Sequence, residues 1–168
     1  MDLSQHQARQ LLQLHGVTVA PWQGSTSVDV ALEMSLTLTI DFDERQFVVL
    51  WSAQGESGKR KKAEANLQPK KRFSVDSLRG IGQAEANQMV AEIGVPPALR
   101  GRTAHFLTIV WRAFQALDAI LIEIDPLVVT PSGEIQVRGV RMRLDKRAAF
   151  RHPECDELMA ASPERKAK

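Results

Sequence analysis

The sequence predicts an α+β domain in which helices pack on an antiparallel sheet, and three observations carry that prediction. Met34, Leu36, Leu38, Ile40 and Phe42 alternate with Ser35, Thr37, Thr39 and Asp41, the period-two pattern of a strand with one apolar and one polar face. A turn at Asp43, Glu44 and Arg45 leads into a continuous apolar run over 47–51, the partner strand of a hairpin. Phe106, Ile109, Val110, Ala113, Phe114 and Leu117 then recur at the i, i+3, i+4, i+7 spacing of a helix with one buried stripe.

The remaining elements follow in order. Residues 4–15 read as a helix with Leu3, Leu11, Leu12 and Leu14 as its apolar positions, Asp2 or Ser4 as N-cap and Gly16 at the C′ position. An apolar step over 17–20 stops at Pro21. A second helix is expected to open within 25–29 and to run through Ala31, Leu32 and Glu33. Beyond the hairpin, residues 54–74 change character: Gly55, Gly58 and Pro69 accompany two basic clusters, and the stretch reads as a solvated loop or a poorly packed helix. Gly80-Ile81-Gly82 punctuates the chain, residues 83–93 form a helix ended by Gly94, and the striped helix fills 99–118. A strand over 119–125, a turn at Pro131-Ser132-Gly133 and a strand over 135–140 complete the sheet. From Asp145 the chain becomes irregular, and residues 161–168 read as a disordered tail.

Composition narrows the class. At 168 residues, 43% hydrophobic and 25% charged, with net charge +2, the chain has the profile of a one-domain water-soluble protein. A single cysteine, Cys155, cannot make an internal disulfide and reads as incidental. No apolar run approaches the ~20 residues of a membrane span, and the polar start lacks the pattern of a signal peptide. The default expectation is a cytoplasmic location.

Glu123-Ile124-Asp125-Pro126-Leu127, with the turn after it, resembles the Glu-Ile-Asn-Pro-Leu signature of the β subunit of succinyl-CoA synthetase, a family that includes malate–CoA ligase. Three further segments match in order. Gln7-Ala8-Arg9-Gln10-Leu11-Leu12 with Gly16-Val17 resembles the family's opening. Trp51-Ser52-Ala53-Gln54-Gly55 resembles its Ala-Ser-Thr-Glu-Gly-Gly. Ala149-Phe150-Arg151-His152-Pro153-Glu154 resembles its Ala-Leu-Phe-Arg-His-Pro-Glu. The resemblance implies a truncated ATP-grasp-like domain over 1–160. The family's glycine-rich, lysine-bearing phosphate loop would fall between Glu33 and Met34 and has no counterpart, and no Gly-Gly pair occurs anywhere in the chain. The family's CoA-ligase domain is likewise expected to be absent.

An ATP-grasp site neutralises a triphosphate with cations, backbone N–H groups and Mg²⁺ held by oxygen ligands. Strand alternation puts Glu123 and Asp125 on one face. The resemblance makes Glu123 a cofactor-binding position and Asp125, in place of the family's Asn, a metal ligand. The second family ligand, an Asp, aligns with Gly139, amid Arg138, Arg141 and Arg143. The plainer reading, preferred over residual metal binding, makes Glu123 and Asp125 a solvated sheet face or Arg-paired carboxylates. The histidines His6, His15, His105 and His152 show no ligand spacing, and no catalytic residue is expected. No cofactor is expected, with Mg-ATP only at a residual or shared site.

Three functional readings follow. The first is a catalytically degenerate β-like protein, an accessory or regulatory interaction module, whose apolar sheet face, uncovered by the missing lobe, meets a CoA-ligase subunit or a second copy. The second is a partial ATP-grasp subunit of a succinate or malate ligase, completed by a partner chain. The third is a binding module that uses Lys59, Arg60, Lys61, Lys62, Lys70, Lys71 and Arg72 against an acidic partner. Nucleic acid is disfavoured, because no aromatic residue stands between those charges for base stacking.

Overall fold

Ser4 fixes where the first helix begins. Its hydroxyl accepts from the Gln7 N–H while the Gln7 side chain accepts from the Ser4 N–H, a reciprocal capping box. Helix α1 (Gln5–Leu14) ends at His15, and Gly16 turns the chain at φ +82°. The Val17 N–H returns to the Leu12 carbonyl, closing a glycine C-cap as expected. Leu14 departs from the expectation: it is 70% exposed, so the apolar face of α1 ends at Leu12.

The computed structural model describes residues 1–19, 29–54 and 70–155. Besides α1, these residues form β1 (Asp2–Leu3), β2 (Leu32–Asp41), β3 (Gln46–Gln54), β4 (Lys71–Val75), α2 (Gln83–Glu92), α3 (Pro97–Ala116), β5 (Ala119–Val129), β6 (Ile135–Val137) and β7 (Val140–Leu144), followed by a 3₁₀ turn over Lys146–Arg151. The strands make one sheet in the order β1-β7-β5-β2-β3-β4, with β6 paired to the far end of β5 and every paired strand antiparallel. The fold is the antiparallel sheet with packed helices that the sequence predicts.

The predicted hairpin is present, with Leu36 opposite Trp51 and Leu38 opposite Val49. Its limits differ. Leu32 and Glu33, expected in a helix, open β2, because Leu32 pairs with Val129 and is buried there. The start of that expected helix, 25–28, lies outside the described residues. Phe42 sits in the turn and is 70% exposed, so the strand ends one residue early. Lys71–Val75, expected as loop, is the edge strand β4, held to β3 by Phe73 opposite Val49. The strand expected over 135–140 is broken at Arg138 and Gly139, while β5 runs on to Val129 through a cis Asp125–Pro126 peptide.

One side of the sheet is covered by helices. Leu36, Leu38, Val49, Trp51, Ile122, Ile124 and Met142 share a continuous core with Leu11 and Leu12 of α1 and Val110, Phe114 and Leu117 of α3. Phe47, Trp111 and Phe114 add an aromatic cluster, with Trp111 stacked on Phe114 at 5.7 Å and Phe47 edge-on to both. Each fully buried large side chain contributes about 1.5–3 kcal/mol, which makes this face the main source of stability. The apolar sheet face expected to lie open is therefore already occupied by the chain's own helices. No helix among the described residues is long and apolar enough to cross a membrane.

Candidate functional site

The other side of the sheet carries the candidate residues. Register lines up Arg72, Leu50, Thr37, Glu123 and Arg141 across β4, β3, β2, β5 and β7 as one cross-strand row. Asp125 lies on the same face two residues beyond Glu123, while Ile122 and Ile124 are fully buried on the helix side, as the alternation predicted. Asp125 and Arg141 are exposed and Glu123 is half-buried.

Glu123 has an ion-pair partner in the chain. The Lys70 ammonium lies 3.8 Å from Glu123 Oε1 and donates to the Thr37 hydroxyl at 3.5 Å, so it reaches over the polar face just ahead of β4. The partner is thus a lysine where an arginine was anticipated. The other cations of this stretch are paired as well: Lys71 with Glu92 at 2.8 Å, and Arg72 with Asp41 at 2.8 Å and Glu44 at 3.3 Å. Asp41 is held below the usual carboxylate range, first by the Glu44 backbone N–H and then by Arg72. Lys59, Arg60, Lys61 and Lys62 lie outside the described residues.

Gly139 occupies the position that the resemblance gives to the second metal ligand. It sits between β6 and β7 against the Asp125–Pro126 peptide: its carbonyl accepts from the Asp125 N–H at 3.1 Å, and its own N–H points to the Pro126 carbonyl at 3.5 Å. A Cβ built on Gly139 would fall inside the van der Waals boundary of the Asp125 carbonyl oxygen and 2.9 Å from the carbonyl carbon. No side chain fits there without moving backbone, whatever its chemistry. Arg9, buried in α1, donates to the Arg138 carbonyl at 3.0 Å, one residue before Gly139. Mg²⁺ needs several oxygens in octahedral geometry to give up its water shell. This face offers it Asp125 and a lysine-paired Glu123, a set that fits the ion poorly. Among the described residues no three His, Cys, Asp or Glu side chains come together as a metal site.

A groove of about 600 Å³ opens where β2 begins and β3 ends, lined by Val30, Leu32, Ala53, Ile93, Leu99 and Pro131 among other apolar residues. Among the described residues, its lining presents no cation to a phosphate.

Sequence reading missed one cluster. His152 is buried, with Nε2 2.8 Å from Asp118 Oδ2 and Nδ1 3.2 Å from Glu154 Oε1. Arg151 adds a two-pronged contact to Asp118, Nε to Oδ2 at 3.1 Å and a terminal nitrogen to Oδ1 at 2.8 Å. Asp118 is held below the usual carboxylate range, first by the His152 hydrogen bond and then by Arg151. The available signal was the adjacent Arg151-His152 pair followed by Glu154. Its partner Asp118 lies 34 residues away from His152, a separation that spacing rules do not search.

Comparison with known proteins adds the following. Residues 23–129 match the ATP-grasp domain family, a span that takes in Glu123 and Asp125 and stops short of Gly139. The β subunit of a GDP-forming succinate–CoA ligase from Thermus thermophilus is 31% identical over 153 residues, 91% of this chain and 40% of that protein. The β subunit of an ADP-forming succinate–CoA ligase from Paraburkholderia phytofirmans is 32% identical over 126 residues, 75% of this chain and 32% of that protein. The chain thus spans two fifths or less of the length of these relatives. Among solved structures, an ATP citrate lyase from Methanothrix soehngenii, in complex with citrate and coenzyme A, superposes with a TM-score of 0.54 at 18% identity, over 89% of this chain and 35% of that one.

Proposed function

We propose, for a chain that belongs to the ATP-grasp domain family, the role of a catalytically degenerate relative of the succinate–CoA ligase β subunit, acting as an accessory or regulatory interaction module. The observation that carries this reading is the Gly139 crossing. A position that the family resemblance assigns to a metal-binding aspartate is here a glycine whose Cβ direction is filled by the Asp125 carbonyl. Two further features support it. Glu123 is engaged by Lys70, and the chain contains no Gly-Gly pair from which to build the phosphate loop. A triphosphate on this face would meet Asp125 and Glu123 with one metal-ligand position closed, and the nearest cation, Lys70, already engaged by Glu123.

The test is thermal unfolding of the purified chain with and without millimolar Mg-ATP. The expected result is an unchanged Tm. A ligand present at 100 times its Kd adds about 2.7 kcal/mol of stability, so a clear rise in Tm would remove the reading.

A second reading, a partial ATP-grasp subunit completed by another chain, draws on the printed names of the relatives, which are subunits, and on the small share of their length that this chain spans. Reconstitution with full-length α and β subunits separates the two. A gain in acyl-CoA formation on adding this chain supports the second reading, and no gain supports the first. The basic-segment reading rests on residues 59–62, outside those described, and on Lys70, Lys71 and Arg72, whose charges are matched within the chain.

A further inference from the structure

Four turns meet at one end of the sheet. Asp41 stands opposite Gln46, Phe47 opposite Val75 and Ala119 opposite Leu144, and the Asp118 carbonyl accepts from the Asp145 N–H at 2.9 Å. The β2–β3 turn, the turn after β4, the α3–β5 turn and the 3₁₀ turn after β7 therefore share this end. They follow the strand order β7-β5-β2-β3-β4, with neighbouring strands about 4.8 Å apart.

Three of the five large apolar side chains exposed among the described residues belong to these turns: Phe42 in the β2–β3 turn, Leu78 after β4 and Phe150 in the 3₁₀ turn. Leu78 is 95% exposed and Phe150 81%. A single exposed apolar residue needs no explanation, whereas several gathered on one end mark an interaction surface. The Arg151 guanidinium lies over the Phe150 ring at 5.4 Å, and aromatic residues and arginine are the types that anchor protein interfaces.

The charges on this end decide what covers it. On the β2–β3 side Asp41 is matched by Arg72, and the exposed Asp43 and Glu44 outweigh Arg45. After β4, Asp76 and Arg79 balance. On the β7 side Asp118 is taken by Arg151 and His152, and the exposed Lys146 and Arg147 outweigh Asp145. Asp43, Lys146 and Arg147 form no ion pair among the described residues. One end thus carries a negative turn on one flank and a positive turn on the other, each beside an exposed phenylalanine. Such a surface is complementary to itself: a two-fold axis between the flanks sets each against its opposite.

We propose that this end is a self-association surface on which a second copy of the chain packs about a two-fold axis. Phe42 of one protomer meets Phe150 of its partner, and Asp43 and Glu44 meet Lys146 and Arg147. Leu78 extends the apolar strip toward the β4 edge. The apolar centre supplies the affinity, and the charged flanks fix orientation and exclude the head-to-head arrangement of like turns. Gly139 stands at the other end of β7, so the inference is independent of the nucleotide reading.

Sedimentation equilibrium on the full chain, from about 1 µM to about 1 mM, tests it. The native chain is expected to pass from monomer to dimer within that range, with weaker association as salt rises. Two flank variants sharpen the test, Asp43→Lys with Glu44→Lys, and Lys146→Glu with Arg147→Glu, each checked for native circular dichroism. Each alone sets like charges together and is expected to self-associate at least about tenfold more weakly. Mixed, the two variants set opposite charges together on both flanks, and a heterodimer is expected. A native chain that stays monomeric throughout would overturn the proposal, and so would a mixture that associates no better than its separate components. A monomeric chain that instead binds a full-length ligase subunit, with binding lost in Phe150→Ser, would assign the surface to that partner and overturn self-association. The native concentration series decides the first point without any variant.

Discussion

The two faces of the sheet are built from the same strands by different physics. On the helix side, Leu36, Ile122, Ile124 and Met142 are fully removed from water against α1 and α3. On the other side, Arg72, Thr37, Glu123 and Arg141 form a polar row with Asp125 at its margin. The first face is complete within the chain: each apolar side chain meets another. The second face pairs part of its charge locally, Lys70 with Glu123 and Arg143 with Asp2, and leaves the Asp125 and Arg141 side chains exposed. The helix-side core is buried without the help of any ligand.

The sharpest way to break this comparison is to empty the helix side. Phe114 is 1% exposed and touches both Trp111 and Phe47. Phe114→Ala is expected to cost about 3–5 kcal/mol, the lost transfer energy plus the cavity. Urea unfolding followed by far-UV circular dichroism reads it as a fall in the midpoint. A loss below 1 kcal/mol would mean that the helix side is not the seat of stability.

Gly139 tests whether the polar side has been closed by backbone or merely lacks a ligand. Gly139→Ala adds one methyl group against the Asp125 carbonyl, and forced overpacking of this kind costs about 1–3 kcal/mol. Gly139→Asp should lose at least as much and gain no Mg²⁺ affinity by isothermal calorimetry. A stable Gly139→Asp chain that binds Mg²⁺ would show that the crossing yields and that only a side chain was missing.

The helix side was the legible one. Period-two alternation in β2 and the apolar stripe of α3 are local patterns, and burial follows them residue by residue. What sequence alone misplaced depended on distant partners. Leu32 and Glu33 look helical in isolation and are strand because Val129 and Val128 stand beside them. Lys71 and Arg72 look like part of a solvated basic loop and are strand because β3 offers an unpaired edge. Phe42 fits the alternation and is exposed because the turn takes it out of the sheet. At the candidate site, spacing alone put Glu123 and Asp125 on one face. It could not show Lys70 over Glu123, the carbonyl under Gly139, or the pairing of His152 with Asp118, each of which joins elements far apart along the chain.

The smallest effect is expected on the polar row itself, where it distinguishes a structural ion pair from a solvated one. The Lys70–Glu123 pair is 3.8 Å long with each side chain one third exposed, so solvent screens it and side-chain ordering offsets much of its Coulomb gain. Glu123→Gln is expected to change unfolding stability by less than about 1 kcal/mol, with the difference shrinking further as salt is raised from 0.05 to about 0.5 M. The same substitution is expected to give no Mg-ATP thermal shift, the outcome also expected of the native chain. A larger loss that salt does not relieve would mean that Lys70 is pinned on this face and that the row holds the sheet together. In that case stability would be shared between the two faces, and the residues of the polar side would serve folding.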